Sequence, residues 1–357
     1  MTWRAQIRIA GFSLIELMVA LAIGSFLIAG AVVVYSNSRK TYTINESTAR
    51  LEENARFIFS MIEPDLQLAG YYGFSNIPDG VKFISGGSTA APTPVAQMTP
   101  ADPLVPVGGT AQSCGPNFPV NLLATVEGPA VNNTYSLACP AQGGGARANT
   151  DTLTIRRVGL TALPAAVPGR LQLLSSRLSA TGQFLISDGG MPPSPTLTLD
   201  LVELRDLIVN TYYISVNSTS RPGIPALRLK ALTNGPSFDD DREIMAGVED
   251  LQIQFGIDDG DYDGDGIIDP INDTDGNGIP DAPLGIATRY VNPGSANLNR
   301  YQIVSVRIWL MLRAEQLETG FTDNKVYTYA GKVVTPNDNF RRLLVTRTIQ
   351  LRNSRTL

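Results

Sequence analysis

Three spacings of apolar residues follow one another along this chain. From Phe12 to Val34 they are nearly continuous, with Glu16 as the only charge. As a helix this run reaches about 35 Å at 1.5 Å per residue, enough to cross a bilayer core of about 30 Å. Next, Leu51, Ala55, Ile58, Ile62, Leu66 and Ala69 recur at intervals of three or four, which predicts one buried helical face. Pro64 lacks an amide donor and predicts a kink near Ser60–Glu63, while Gly70 and Gly73 end the run. Together these segments predict one helix of roughly 55–60 residues, far longer than an ordinary globular helix. Its first part, residues 12–34, belongs in lipid or among partner helices; its second, residues 35–73, is amphipathic and packs on a domain.

The third spacing is two. In "VEDLQIQFGI", Leu251, Ile253, Phe255 and Ile257 alternate with Gln252, Gln254 and Gly256. In "IVSVRIWLMLR", Val304, Val306, Ile308, Leu310 and Leu312 alternate with Ser305, Arg307, Trp309, Met311 and Arg313. Both predict strands with one face on a core. "DTLTIRR", "GQFLISD", "DLIVNTYYISV", "VYTYAGKVV" and "LLVTRTIQLRN" predict further strands, and Ala226–Ala231 pairs back on the third of these through "NSTSRPGIP". Residues 74–112, rich in Pro and Gly, read as an irregular connection, either a disordered linker or an ordered loop. A long helix followed by antiparallel strands is an α+β architecture, with a β-rich domain over residues 113–357.

Composition narrows the chemistry. The 357 residues suffice for a sizeable core, and the net charge of −5 argues against coating nucleic acid. That charge is uneven. Asp258–Asp281 holds nine Asp and no Lys or Arg, so the remainder, −5 less −9, carries +4. Histidine is absent, which removes Ser–His–Asp and Cys–His systems and every His-ligated metal site. No nucleophile–base pair is readable, so an enzyme is not expected. The two cysteines, Cys114 and Cys139, are either small apolar fillers or one disulfide in an oxidising compartment. In the chain-entropy view such a bridge would stabilise the domain by about 3.5 kcal/mol.

Glu16 needs a reason. An ionised side chain within an apolar span costs on the order of 2.5–3.5 kcal/mol, so it is retained where it has a partner. Cleavage between Gly11 and Phe12 would place a new α-amine one helical turn from Glu16, mobile enough to serve a neighbouring subunit as well. Basic residues flank both ends of the span, Arg4 and Arg8 before it, Arg39 and Lys40 after it, and leave its orientation undecided.

"GFSLIELMVALAIG" resembles the class III leader of type IV pilins and type II secretion pseudopilins. The resemblance implies that residues 1–11 are a leader, that a prepilin peptidase cuts after Gly11 and methylates Phe12, and that Glu16 acts in assembly. "LEENARFIFSMIEPDLQLAGYYG", "GVEDLQIQFGIDDGDYDGDGIID", "IVSVRIWLMLR" and "NFRRLLVTRTIQLRN" resemble the PilW group of minor pilins in order and character, over residues 5–74 and 244–357. This implies a type IV pilin-like fold and a minor pilin that primes or tips a type IV pilus. Its partners would be other minor and major pilins through the N-terminal helix. The implied location is the inner membrane, with a periplasmic C-terminal domain, and then the pilus fibre at the cell surface. A minor pseudopilin of type II secretion shares the leader, and a calcium-dependent tip adhesin is a reading of a different class.

Within the acidic segment, "DYDGDGIID" and "DTDGNGIPD" superimpose at an offset of twelve residues. Asp261, Asp263, Asp265, Ile267 and Asp269 align with Asp273, Asp275, Asn277, Ile279 and Asp281. Oxygens at positions 1, 3 and 5, a carbonyl at 7 and a carboxylate at 9 wrap a hard cation, and Gly266 and Gly278 permit the turn. Asn272 replaces the bidentate Glu of an EF-hand. The pattern is closer to the tandem calcium loops of thrombospondin type 3 repeats or dockerins, and predicts one or two calcium ions. The competing reading is a solvated acidic loop.

Overall fold

A computed structural model of the chain describes residues 13–74, 81–84, 93–94, 114, 118–177, 183–186, 202–232, 240–264, 268–269, 276, 284–296, 298 and 301–353. The chain divides into two compact units, Met1–Arg50 and Leu51–Leu357. One helix, α1 (Leu14–Gln67, 54 residues), contributes to both and continues through Pro64. Because Pro64 lies in the last turn, its missing amide removes one bond near a terminus, and its carbonyl still accepts from Leu68 N–H at 3.2 Å. Gly70 and Gly73, at φ 74° and 79°, then take the left-handed turns that close the helical segment.

The second unit is built from fifteen described strands: β1 (Val81–Ile84), β2 (Thr93–Pro94), β3 (Val126–Glu127), β4 (Leu153–Val158), β5 (Gln172–Ser176), β6 (Gln183–Ile186), β7 (Val202–Ser215), β8 (Ala226–Leu232), β9 (Asp240–Ala246), β10 (Val248–Asp258), β11 (Arg289–Val291), β12 (Gln302–Arg313), β13 (Tyr327–Tyr329), β14 (Lys332–Val334) and β15 (Arg342–Gln350). Nine form one sheet in the order β2-β1-β6-β5-β7-β4-β3, with β8 on β7 and β9 on β8. A second sheet runs β11-β10-β12-β15, and β13 with β14 makes a small hairpin. Pairing is antiparallel throughout except for β1 on β6.

The predicted helical stripe is the buried one. Leu51, Ala55, Ile58, Ile62, Leu66 and Ala69 share a core with Leu153 and Ile155 of β4, Tyr212 and Ile214 of β7, Leu251–Ile257 of β10 and Val306–Leu312 of β12. Each such Leu or Ile side chain contributes roughly 1.5–3 kcal/mol relative to exposure. Asp65 sits in the same face and is itself buried. It pairs with Arg157 Nε at 2.6 Å and accepts from Asn210 Nδ2 at 2.8 Å and Tyr212 hydroxyl at 3.1 Å. The acid therefore fixes the helix against β4 and β7 in one register.

Among the described residues, Gly247 and Asp151 are two of the links between the sheets. Gly247, at φ 82°, carries the chain from β9 in the first sheet to β10 in the second; a Cβ there would meet the Arg313 carbonyl at 2.7 Å. Asp151, just before β4, donates its amide to the Leu251 carbonyl at 2.8 Å. Its carboxylate accepts from Ile253 N–H at 3.1 Å and Asn133 N–H at 2.7 Å. Burial pushes the Asp151 carboxyl up from 3.8 to about 6, against the opposing pull of those two amides.

Several expectations change. Residues 74–112, read as irregular, contribute β1 and β2, because "VKFI" finds a partner strand in β6. β10 is buried on both faces: Gln252 is fully enclosed, bonding the Asn149 carbonyl and Asp250. β3, β5, β9 and β11 were not foreseen. β9 reads "DDREIMA", too charged to suggest a strand, yet Asp241 is buried against Arg228 at 2.8 Å and Lys230 at 2.9 Å of β8.

Asp65→Ala should strand Arg157 and destabilise the detergent-solubilised chain by about 3–5 kcal/mol in denaturant unfolding, whereas Asp65→Leu with Arg157→Met should recover much of the loss. Asp151 generates a pH effect of known sign. Its native form binds a proton more tightly than the unfolded chain, so its contribution is full below about pH 4 and is lost as pH rises through about 6. Asp151→Asn should flatten stability over that window; an unchanged slope in melts from pH 4 to 7 would show that Asp151 is not responsible.

Candidate functional site

At the start of α1, the apolar side chains face outward. Leu14 is 77% exposed and Phe26 is 80% exposed, and Ile15, Leu17, Leu21, Ile28 and Tyr35 are likewise open. A helix that is apolar on every side needs lipid or other helices around it. By length and composition α1 is able to cross a membrane.

Glu16 lies in the first turn of this helix. Its Oε2 accepts from the backbone N–H of Ser13 at 3.0 Å, while Leu17 N–H donates to the Ser13 carbonyl at 3.1 Å. This is one half of a capping box, with Ser13 at N-cap and Glu16 at N3. The signal, "SLIE", is legible in the sequence as a Ser followed three residues later by a Glu ahead of an apolar run. The carboxylate thus points back toward the chain's N-terminal end, the side on which a new α-amine would be made. Gly11 and Phe12 lie outside the described residues.

Cys114 and Cys139 form a disulfide, and both are buried. The bridge closes 25 residues of sequence. Tyr135 donates its hydroxyl to the Cys139 carbonyl at 2.9 Å and packs edge-on against Tyr213 at 5.3 Å.

The acidic segment is organised at its base. Asp258 is fully buried and accepts from Tyr262 hydroxyl at 2.8 Å, Gly285 N–H at 2.7 Å and Ile286 N–H at 3.2 Å. Asp259 pairs with Arg289 and accepts from the Thr288 hydroxyl. These two acids therefore close the insertion between β10 and β11, a role the sequence reading did not give them. Burial, and then the bond to Asp258, raise the Tyr262 hydroxyl above its ordinary value. Of the predicted ligands, Asp261 accepts from Gly264 N–H at 2.8 Å, and Asp269 accepts from Tyr262 N–H at 3.1 Å. Asp263 is exposed. Asp265, Ile267, Asp273, Asp275, Asn277, Ile279 and Asp281 lie outside the described residues, and among the described residues no group of acids is arranged to hold a metal.

Comparison with known proteins supplies the class. Residues 8–32 match the prokaryotic N-terminal methylation motif. Residues 211–353, from the middle of β7 past β15, match type IV pilus-assembly protein W. No curated protein matches the chain. Among solved structures, the type IV-like pilin TTHA1219 from Thermus thermophilus is similar at 15% identity, over 52% of this chain and 85% of that one, with a TM-score of 0.22. At these values that likeness adds nothing to the fold described above.

An N-methylation motif on an outward-facing apolar helix, continuous with a disulfide-bonded β-rich unit, defines a prepilin-type subunit. These two matches support a type IV pilus minor pilin of the PilW group, with a function in type IV pilus assembly.

Proposed function

We propose that this minor pilin works in a small complex that primes or caps the filament, and that it is not an enzyme. The observation that carries this reading is the first turn of α1: it opens an exposed apolar segment, through Val34, whose one acid, Glu16, already accepts from a backbone N–H beside the expected cleavage point. Prepilin peptidase cuts after Gly11 and the new Phe12 amine is methylated. Before use, the chain is a single-pass protein of the inner membrane, with residues 35–357 in the periplasm. On incorporation, Glu16 exchanges its local bond for the α-amine of Phe12, its own or that of a neighbouring major or minor pilin. Inside a helix bundle that pairing is strong, because water is excluded from both charges.

Calcium belongs to the same reading. The twelve-residue repeat from Asp261 to Asp281 supplies hard oxygen ligands, and Asp258 and Asp259 hold the ends of the loop together without occupying those positions.

Gly11→Val should leave full-length precursor that never enters sheared pili, as read by N-terminal sequencing and immunoblot. Glu16→Ala should be inserted and cleaved yet be lost from the pilus fraction by at least ten-fold; normal recovery would remove Glu16 from assembly. For the loop, calcium at 100 times its dissociation constant should stabilise the chain by about 2.7 kcal/mol. Magnesium should substitute poorly, because it demands a tighter octahedron and keeps its waters. Asp263→Ala with Asp275→Ala should abolish the shift. Identical melting midpoints in calcium and chelator would exclude the metal.

A further inference from the structure

β15 is the outer strand of the four-stranded sheet, and its exposed edge is open. Its register on β12 is unbroken from Arg342 to Gln350. Leu351 N–H donates to the Val304 carbonyl and Ala314 N–H to the Arg341 carbonyl, which fixes the phase of the ladder at both ends. In an antiparallel pair the bonded residues alternate. Leu343, Val345, Arg347 and Ile349 therefore turn their amides and carbonyls toward β12, and Leu344, Thr346, Thr348 and Gln350 turn theirs outward. Among the described residues, none of these four outward amides or carbonyls has a partner. Thr346, Thr348 and Gln350 are exposed. From Leu344 to Gln350 the open row is about 20 Å long at roughly 3.4 Å per residue.

Exposed edges of this length pair with other chains unless they are blocked by charge, proline, bulges or brevity. The other described edges of the two larger sheets are blocked. β9 carries Asp240, Asp241, Arg242 and Glu243; β2 is two residues ending in Pro94; β3 is two residues; β11 is three and begins with Arg289. β15 has no proline and no bulge, and from Leu343 to Gln350 its one charge is Arg347. That charge is already engaged: Arg347 Nη1 pairs with Glu63 Oε2 of α1 at 2.9 Å, and its guanidinium lies 5.2 Å from the Phe59 ring centroid. Asn353 Nδ2 also donates to the Ala69 carbonyl at 3.3 Å. The open edge thus belongs to a strand held against the C-terminal part of α1.

We propose that Leu344–Gln350 receives an extended segment from a neighbouring pilin subunit, which adds a fifth strand to this sheet. The proposal rests on the pilin reading, since the helix is the element along which pilins meet and Arg347 of β15 pairs with Glu63 of that helix. Backbone bonds supply the affinity, and alternate side chains supply the choice of partner. On the helix side the incoming strand meets Val345, Arg347 and Ile349, and calls for apolar residues opposite Val345 and Ile349. On the opposite side it meets Leu344, Thr346 and Thr348, which favour β-branched or hydroxylated neighbours.

The experiment uses the full chain in cells that make its pili, with a benzophenone photocrosslinker placed in turn at Thr346 and Thr348. The expected product joins both positions to one peptide of another pilin, at residues two apart, as strand pairing requires. In the isolated assembly, the amides of Leu344, Thr346, Thr348 and Gln350 should exchange at least ten-fold more slowly than in the detergent-solubilised chain. Thr346→Pro removes an outward amide that serves no bond in the fold, so it should lower incorporation at least ten-fold relative to Thr346→Ala with a similar melting midpoint. If Thr346→Pro fails to fold, the cross-link and exchange results still decide. Cross-links to a second copy of this chain, to residues not two apart, or none at all in cleaved and incorporated protein would overturn the strand addition alone. Uncleaved, unincorporated protein would overturn the pilin reading and this proposal with it.

Discussion

Asp65 is the point on which the arrangement of helix and sheet depends. A helix with an apolar stripe is free to slide or roll over an apolar sheet, because burial has little directional preference. An ionised side chain within that stripe removes the freedom. Asp65 is satisfied by Arg157, Asn210 and Tyr212 together, and those three come from two adjacent strands, so one helix position meets all of them. Burying a charge is costly unless it is paired and hydrogen-bonded, and any slip of the helix would impose that cost.

The same logic extends through the β-rich unit. Asp241 takes bonds from Arg228, Lys230 and Tyr213. Arg342 lies between Glu249 at 2.6 Å and Asp338 at 2.6 Å, and Asp250 holds Lys332 and the Tyr329 hydroxyl. Arg156, fully buried, gives its guanidinium to the Phe118 and Ala124 carbonyls. Arg342 and Asp250 tie segments distant in sequence, Asp241 fixes β9 on β8, and Arg156 holds the Phe118 and Ala124 segment against β4. Asp151 makes such a tie between the sheets, at the cost of a carboxyl whose proton affinity is raised by burial.

Among the described residues, the outward apolar helix that carries Glu16 and the open edge of β15 contrast with these paired clusters. Both are complete only in the presence of other chains. For a subunit made to enter an assembly, unsatisfied surface is the functional part. The helix offers burial without direction, whereas a strand edge offers direction without much burial, so together they define position and orientation.

The sequence by itself determined the long helix, its buried stripe from Leu51 to Ala69, the strands β4, β6, β7, β8, β10, β12, β13, β14 and β15, and the N-terminal methylation motif that includes Glu16. These are legible because periodicity is local: intervals of three to four and of two are imposed by backbone geometry whatever the chain packs against. It also held the "SLIE" cap. Tertiary structure alone decided that "DDREIMA" is a strand, since Asp241 becomes tolerable only opposite Arg228 and Lys230. It also turned Asp258 and Asp259 from charges in an acidic run into the clasp of a loop, by bringing Gly285 and Arg289 back to them. Charged and polar residues carry no periodic signal of their own burial; their place is set by partners that the sequence leaves far apart.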